Sequence, residues 1–322
     1  MMHAHPVGRS IIEEVSISEL PLSLDSGFLL LDPGALQREA PLSAIGAMRC
    51  TPLNWGADPT GLPMLVDLSR CEPIHRAWLS AVLQDEHSRR RARPLVRPAI
   101  FAHLQAFASQ ADIAAHIASQ LLVLPLDRRR NRGALPALWR FFDPRVFANL
   151  CWLLQPHEKA ALLAPISIWS FPWFDQWYAL TIRDEWFTAA DADADTNEAP
   201  GLSIDTFKPV DLGMWKRAER IAQINQVLAR IPLPNGSSWQ QRAAVAARIE
   251  SALIHAKDSL HWHHIDDQSC YAEFVARYGD AFVNHPKLNA YWALRETRMA
   301  SGAWNELIAL LGPDDLPESA FG

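Results

Sequence analysis

From Gly27 onward the apolar positions of this chain fall into two rhythms. Short apolar runs at about residues 28–31, 47–53, 64–68, 99–101, 121–124, 138–142, 166–171 and 178–182 have the length and composition of strands. Between them, at about residues 73–91, 102–119 and 144–163, apolar residues recur at helical spacing. Strands alternating with helices of this length predict a substantially parallel or mixed sheet covered by helices. Beyond about residue 210 only the helical rhythm remains, over 214–231, 238–260, 268–278, 286–298 and 302–311, broken by Pro232, Gly279 and Pro286. The predicted fold class is therefore an α/β lobe (a mixed sheet flanked by helices) followed by an all-α lobe. Its expected boundaries are an N-terminal arm over 1–24, the α/β lobe over 25–184, an acidic flexible linker over 185–209, the helical lobe over 210–312 and a frayed acidic tail over 313–322.

The sharpest change of rhythm falls at Asp143-Pro144. The preceding residues 138–142 read as an aromatic strand, whereas Val146, Phe147, Leu150, Leu153 and Leu154 follow a helical period. An Asp at this joint can accept the orphan N–H bonds of a helix start, worth about 1 kcal/mol. A proline at the first helical position loses no hydrogen bond, and it holds the residue before it extended. Arg145 then lies on the first turn, positioned for an ion pair with Asp143. These three residues are expected to support the lobe rather than to react.

Composition narrows the class. A chain of 322 residues with 49% hydrophobic and 20% charged residues suits a soluble globular protein of one large or two ordinary domains. No apolar run approaches the length of a membrane span, and residues 1–15 lack an apolar signal core, so neither a membrane partner nor secretion is expected. The four cysteines (Cys50, Cys71, Cys151, Cys270) are scattered, as reduced cytoplasmic thiols would be. A net charge of −6 argues against nucleic acid as a partner. The arginines at 89–97 suit a helix C-terminus and those at 128–132 a polar hairpin tip. Thirteen tryptophans are the oddity. Trp169, Trp173 and Trp177 come with Phe171, Pro172 and Phe174 about a predicted turn, and tryptophan is enriched at interface hot spots. They are the predicted partner-binding residues.

Catalytic signatures are scarce. No phosphate-cradling glycine loop, nucleophile elbow or paired metal motif occurs, and no cofactor is expected. The one metal-like cluster is His261, His263 and His264 with Asp266, Asp267 and Cys270, whose residue types are all zinc ligands. A helix junction capped by Asp266 or Asp267 accounts for it better. A metal-dependent enzyme using His261–His264 and Asp266–Asp267 is the alternative reading.

A family resemblance joins these pieces. The aromatic R-F-F-D-P-R joint at 140–145, the Leu-rich helix after it, the Pro-started Gln155-Pro156-His157-Glu158-Lys159 and Ala164-Pro165-Ile166-Ser167-Ile168-Trp169 stand in one order. Upstream come F-L-L-L-D at 28–32 and G-L-P-M-L-V-D-L at 61–68. This set, over about residues 25–180, resembles the adaptor proteins of the bacterial type VI secretion system. The resemblance implies a non-enzymatic cytoplasmic chaperone that binds a cognate effector, or its PAAR-like region, and assists its loading onto the VgrG spike.

Overall fold

The structure is a computed structural model that describes residues 12–15, 26–36, 41–53, 55–127, 132–133, 136–182, 208–234, 236–293, 303–311 and 315–316. The expected arm (apart from 12–15), nearly all of the expected linker, the arginines at 128–130 and most of the tail lie outside the described residues. The chain divides into two compact units, Met1–Glu219 and Arg220–Gly322.

The first unit is α/β. Its strands are β1 (Ile12–Val15), β2 (Phe28–Leu31), β3 (Met48–Arg49), β4 (Met64–Asp67), β5 (Ile100–Ala106), β6 (Leu122–Asp127), β7 (Arg132–Gly133), β8 (Ala137–Leu138), β9 (Ile166–Trp173), β10 (Gln176–Thr181) and β11 (Lys208–Asp211). Its helices are α1 (Pro73–Ala92), α2 (Gln110–Gln120), α3 (Pro144–Leu153), α4 (Pro156–Leu163) and α5 (Leu212–Glu219). Seven strands form the main sheet in the order β1-β10-β9-β5-β2-β4-β3. Every ladder in it is antiparallel. A helix-linked crossover of the expected kind joins β4 to β5 through α1, and the two run the same way because both are antiparallel to β2. Strand β2 lies between them, so they never pair. The second sheet supplies the mixed pairing, with β11 parallel to β6, and β7 and β8 antiparallel to it.

Helices cover both faces of the main sheet, which explains why β2 is apolar at every position and buried throughout. On one face Leu29, Leu31, Val66 and Trp177 pack with Leu79 and Leu83 of α1. On the other, Trp169 and Phe171 meet Phe147 of α3, with ring centroids 4.9 Å apart in each pair. Strand β11 and helix α5 belong to this unit, so it reaches past the boundary expected at residue 210.

The second unit is helical: α6 (Ile221–Leu228), α7 (Trp239–Ile254), α8 (Ile265–Tyr278), α9 (Asp280–Val283), α10 (Pro286–Ala293) and α11 (Ala303–Ile308). Ser238 caps α7 through a reciprocal box with Gln241. Tyr271, Phe274, Phe282 and Trp304 form a chain of tilted aromatic contacts at its centre. Helix α7 passes into a π-helical turn, His255–Ser259. Among the described residues no helix is long and apolar enough to cross a membrane. All four thiols are free; Cys50, Cys71 and Cys151 are buried and Cys270 is half-buried. Burial pushes the thiols of Cys50 and Cys151 up to about 12.

Candidate functional site

Two of the segments that carry the resemblance, F-L-L-L-D and D-P-R, contribute Asp32 and Asp143, whose ion pairs form one cluster. Asp32 follows β2 and is almost wholly buried. Its Oδ1 accepts the Gly34 amide at 2.9 Å, a turn that an Asp side chain favours. Arg97, from the loop between α1 and β5, donates Nε to Oδ2 at 2.5 Å and Nη2 to Oδ1 at 2.9 Å. This is the bidentate fork that guanidinium geometry allows.

Asp143 is the N-cap of α3. Its Oδ1 accepts the backbone N–H of Arg145 at 3.0 Å, with Pro144 in the first turn. The Arg145 side chain returns to the same carboxylate, Nε to Oδ1 at 2.9 Å and Nη2 to Oδ2 at 2.6 Å. Its Nη1 reaches the carbonyl of Leu95 at 3.1 Å and so ties the cap to the loop that carries Arg97. Arg140 approaches Asp143 Oδ2 at 3.5 Å and lies over the Phe142 ring, 5.8 Å from its centroid. The pairs act on each other. Hydrogen bonding to Asp32 raises Arg97, while the neighbouring Arg145 lowers it and Asp143 raises it again by less; hydrogen bonding to Asp143 raises Arg145, and Asp32 adds to it. Burial opposes the rise in both, and the guanidiniums stay charged.

The arrangement is suited to recognition. Its carboxylates are buried and occupied by arginine donors, while Arg97 and Arg140 keep 48% and 43% of their side chains exposed.

The predicted contact tryptophans need correcting. Trp169, Trp173 and Trp177 are 0%, 2% and 1% exposed. They lie on the β9–β10 hairpin, whose turn is only Phe174 and Asp175, and β9 and β10 are inner strands of the main sheet. Residues alternate across a strand, so Trp169 and Trp173 share the face with Phe171 while Trp177 falls to the α1 side. Both faces are covered, and no ring of the three is left for a partner. A run of aromatics reads the same whether its sheet is bare or sandwiched, which is why the sequence pointed outward.

In the second unit His261, His263 and His264 are exposed, but they lie on a stretch without regular secondary structure before α8, where His261 has a left-handed φ of 51°. Among the described residues no three His, Cys, Asp or Glu side chains stand close enough to share a metal ion. Neither Asp266 nor Asp267 caps α8; His264 holds the N-cap position without a side-chain hydrogen bond.

A second charged pair escaped the sequence reading. Glu86 and Arg90 of α1 pair at 3.0 Å with side-chain exposures of 0% and 4%. Glu86 Oε2 also accepts the amides of Ala99 at 3.0 Å and Ile100 at 2.9 Å, and Arg90 lies over the Trp177 ring. The spacing of four residues on one helix was the available signal.

Compared with protein-family models, curated proteins and solved structures, the chain matches none.

Proposed function

We propose that this chain is a non-enzymatic adaptor of the bacterial cytoplasm that holds a type VI secretion effector, or the effector's PAAR-like region, and assists its loading onto the VgrG spike. One observation carries the reading. Asp32 and Asp143-Pro144-Arg145, which belong to segments more than a hundred residues apart and carry the resemblance, belong to one ion-pair cluster with arginines at its outer edge. Such a cluster binds without covalent chemistry: a buried acid fixes each guanidinium, and the fixed guanidinium sets which charges a partner must present. With the tryptophans inside, client recognition falls to polar and charged surface more than to aromatic anchors.

Affinity purification of the tagged protein from its host at moderate salt, followed by mass spectrometry, tests the proposal. A toxin-like protein recovered together with VgrG is the expected result. Recovery of the protein alone, even after crosslinking, overturns it.

A further inference from the structure

The ion-pair cluster has one more positive charge than it uses. Arg97, Arg140 and Arg145 face two carboxylates, Asp32 and Asp143, whose side chains are 1% and 4% exposed. Arg145 is fully engaged, since Nε and Nη2 hold Asp143 and Nη1 holds the Leu95 carbonyl. The other two are not. Arg97 uses Nε and Nη2 on Asp32, and its Nη1 has no hydrogen-bond partner among the described residues. Arg140 reaches Asp143 only through Nη2, at 3.5 Å, which leaves Nε and Nη1 without a partner among them. Both side chains are close to half exposed, yet each is pinned, Arg97 by its bidentate acid and Arg140 by the Phe142 ring. A guanidinium held in place loses little further freedom when it binds, and its free N–H groups present a planar fork.

We propose that Arg97 and Arg140 receive an acidic side chain of a protein partner, as the charge-reading element of a docking face. The chemistry favours a carboxylate. One surplus positive charge is matched by one Asp or Glu, whereas a dianionic phosphate would leave the site over-neutralised. The proposal rests on the adaptor reading only in taking the partner to be a protein.

The test uses the full chain labelled with 15N arginine, followed by the side-chain Nε–Hε signals at low salt. The probe is the peptide acetyl-Gly-Glu-Gly-Glu-Gly-amide, with its Gln counterpart and methyl phosphate as comparisons. The Glu peptide is expected to shift the Arg97 and Arg140 signals and the Gln peptide to leave them unmoved. Arg140→Gln and Arg97→Lys should each weaken the Glu peptide about tenfold, the loss of a charge-assisted hydrogen bond. Arg140→Gln gives up one long 3.5 Å contact to Asp143, which keeps Arg145, so its unfolding curve should stay close to that of the parent chain. Signals that do not move, or that move equally with Gln, overturn the proposal. A larger and tighter response to methyl phosphate replaces the carboxylate with a phosphate ligand and overturns it too. If no effector or VgrG is captured while the Glu peptide still shifts both arginines, the adaptor reading falls and this one stands. Undiminished effector capture by the Arg97→Lys/Arg140→Gln double variant has the reverse meaning.

Discussion

Glu86–Arg90 and Asp32–Arg97 pair the same chemical groups to opposite ends. In the first, both members are buried, Arg90 against the Trp177 ring, and although Nη1 and Oε1 lie 3.0 Å apart, Glu86 Oε1 and both Arg90 Nη atoms make no hydrogen bond of good geometry. Burying two charges costs several kcal/mol per ion, and here that cost is offset by the Coulomb attraction of the pair and by the two amides on Glu86. In the second pair only the acid is buried, and the arginine stays about half exposed. A buried acid with a solvated base costs less and leaves donors for another molecule. The comparison separates a charge pair that locks a helix to a sheet from one that can answer to a partner.

The largest effect should come from opening the sealed side. Trp177→Ala removes a fully buried ring from the α1 face and uncovers Arg90, and a loss of about 4 kcal/mol in urea unfolding is expected. An unchanged unfolding curve would mean that the ring is not core. Arg90→Met keeps the volume but leaves Glu86 without its cation, which should cost about 3 kcal/mol at neutral pH. The sign of its pH dependence follows from Glu86, whose carboxyl desolvation raises above its ordinary range while Arg90 lowers it. Without Arg90 the native state holds that proton more tightly than the unfolded chain does, so the variant should recover part of its stability as the pH falls. A constant deficit from neutral to acid pH would contradict this.

On the open side, Asp143→Ala removes the cap of α3 and the partner of Arg145 together, and about 2 kcal/mol should be lost. His103 gives a smaller, titratable comparison, since it is buried in β5 with the Ser26 carbonyl, at 3.2 Å, to receive its Nε2 proton. Burial pushes its pKa down, partly offset by that hydrogen bond. Below about 6.5, the ordinary histidine value, the unfolded chain therefore takes up a proton that the native state resists. Stability should fall as the pH drops through that window, and His103→Gln should remove this component of the acid slope. Arg140→Gln is the smallest change and should move stability by no more than about 0.5 kcal/mol.

What could be read from the chain was whatever a local signal writes. The Asp143-Pro144 cap and the helices of the second unit are each specified by residues within a turn or two of one another, whereas the aromatic strand expected over 138–142 is a strand only at Ala137–Leu138. The sense of the main sheet was not legible. Four buried residues in β2 read as a parallel strand, but the insertion of β2 between β4 and β5 is a long-range choice. The site was half legible. Asp143 and Arg145 are two positions apart, whereas Asp32 and Arg97 are separated by 65 residues, and nothing near either names the other. The tryptophans failed for the same reason, since burial depends on the helices that cover a strand.

The unequal burial of the thiols makes the chain a ready-made subject for site-selective labelling. Cys50 and Cys151 stay protonated and enclosed, Cys71 is buried with Sγ directed at the Asp67 carbonyl, and Cys270 alone is partly open on α8. A maleimide dye applied briefly near neutral pH should therefore settle on the second unit. The native sequence thus offers a fluorescent reporter of helical-unit motion without a single engineered cysteine.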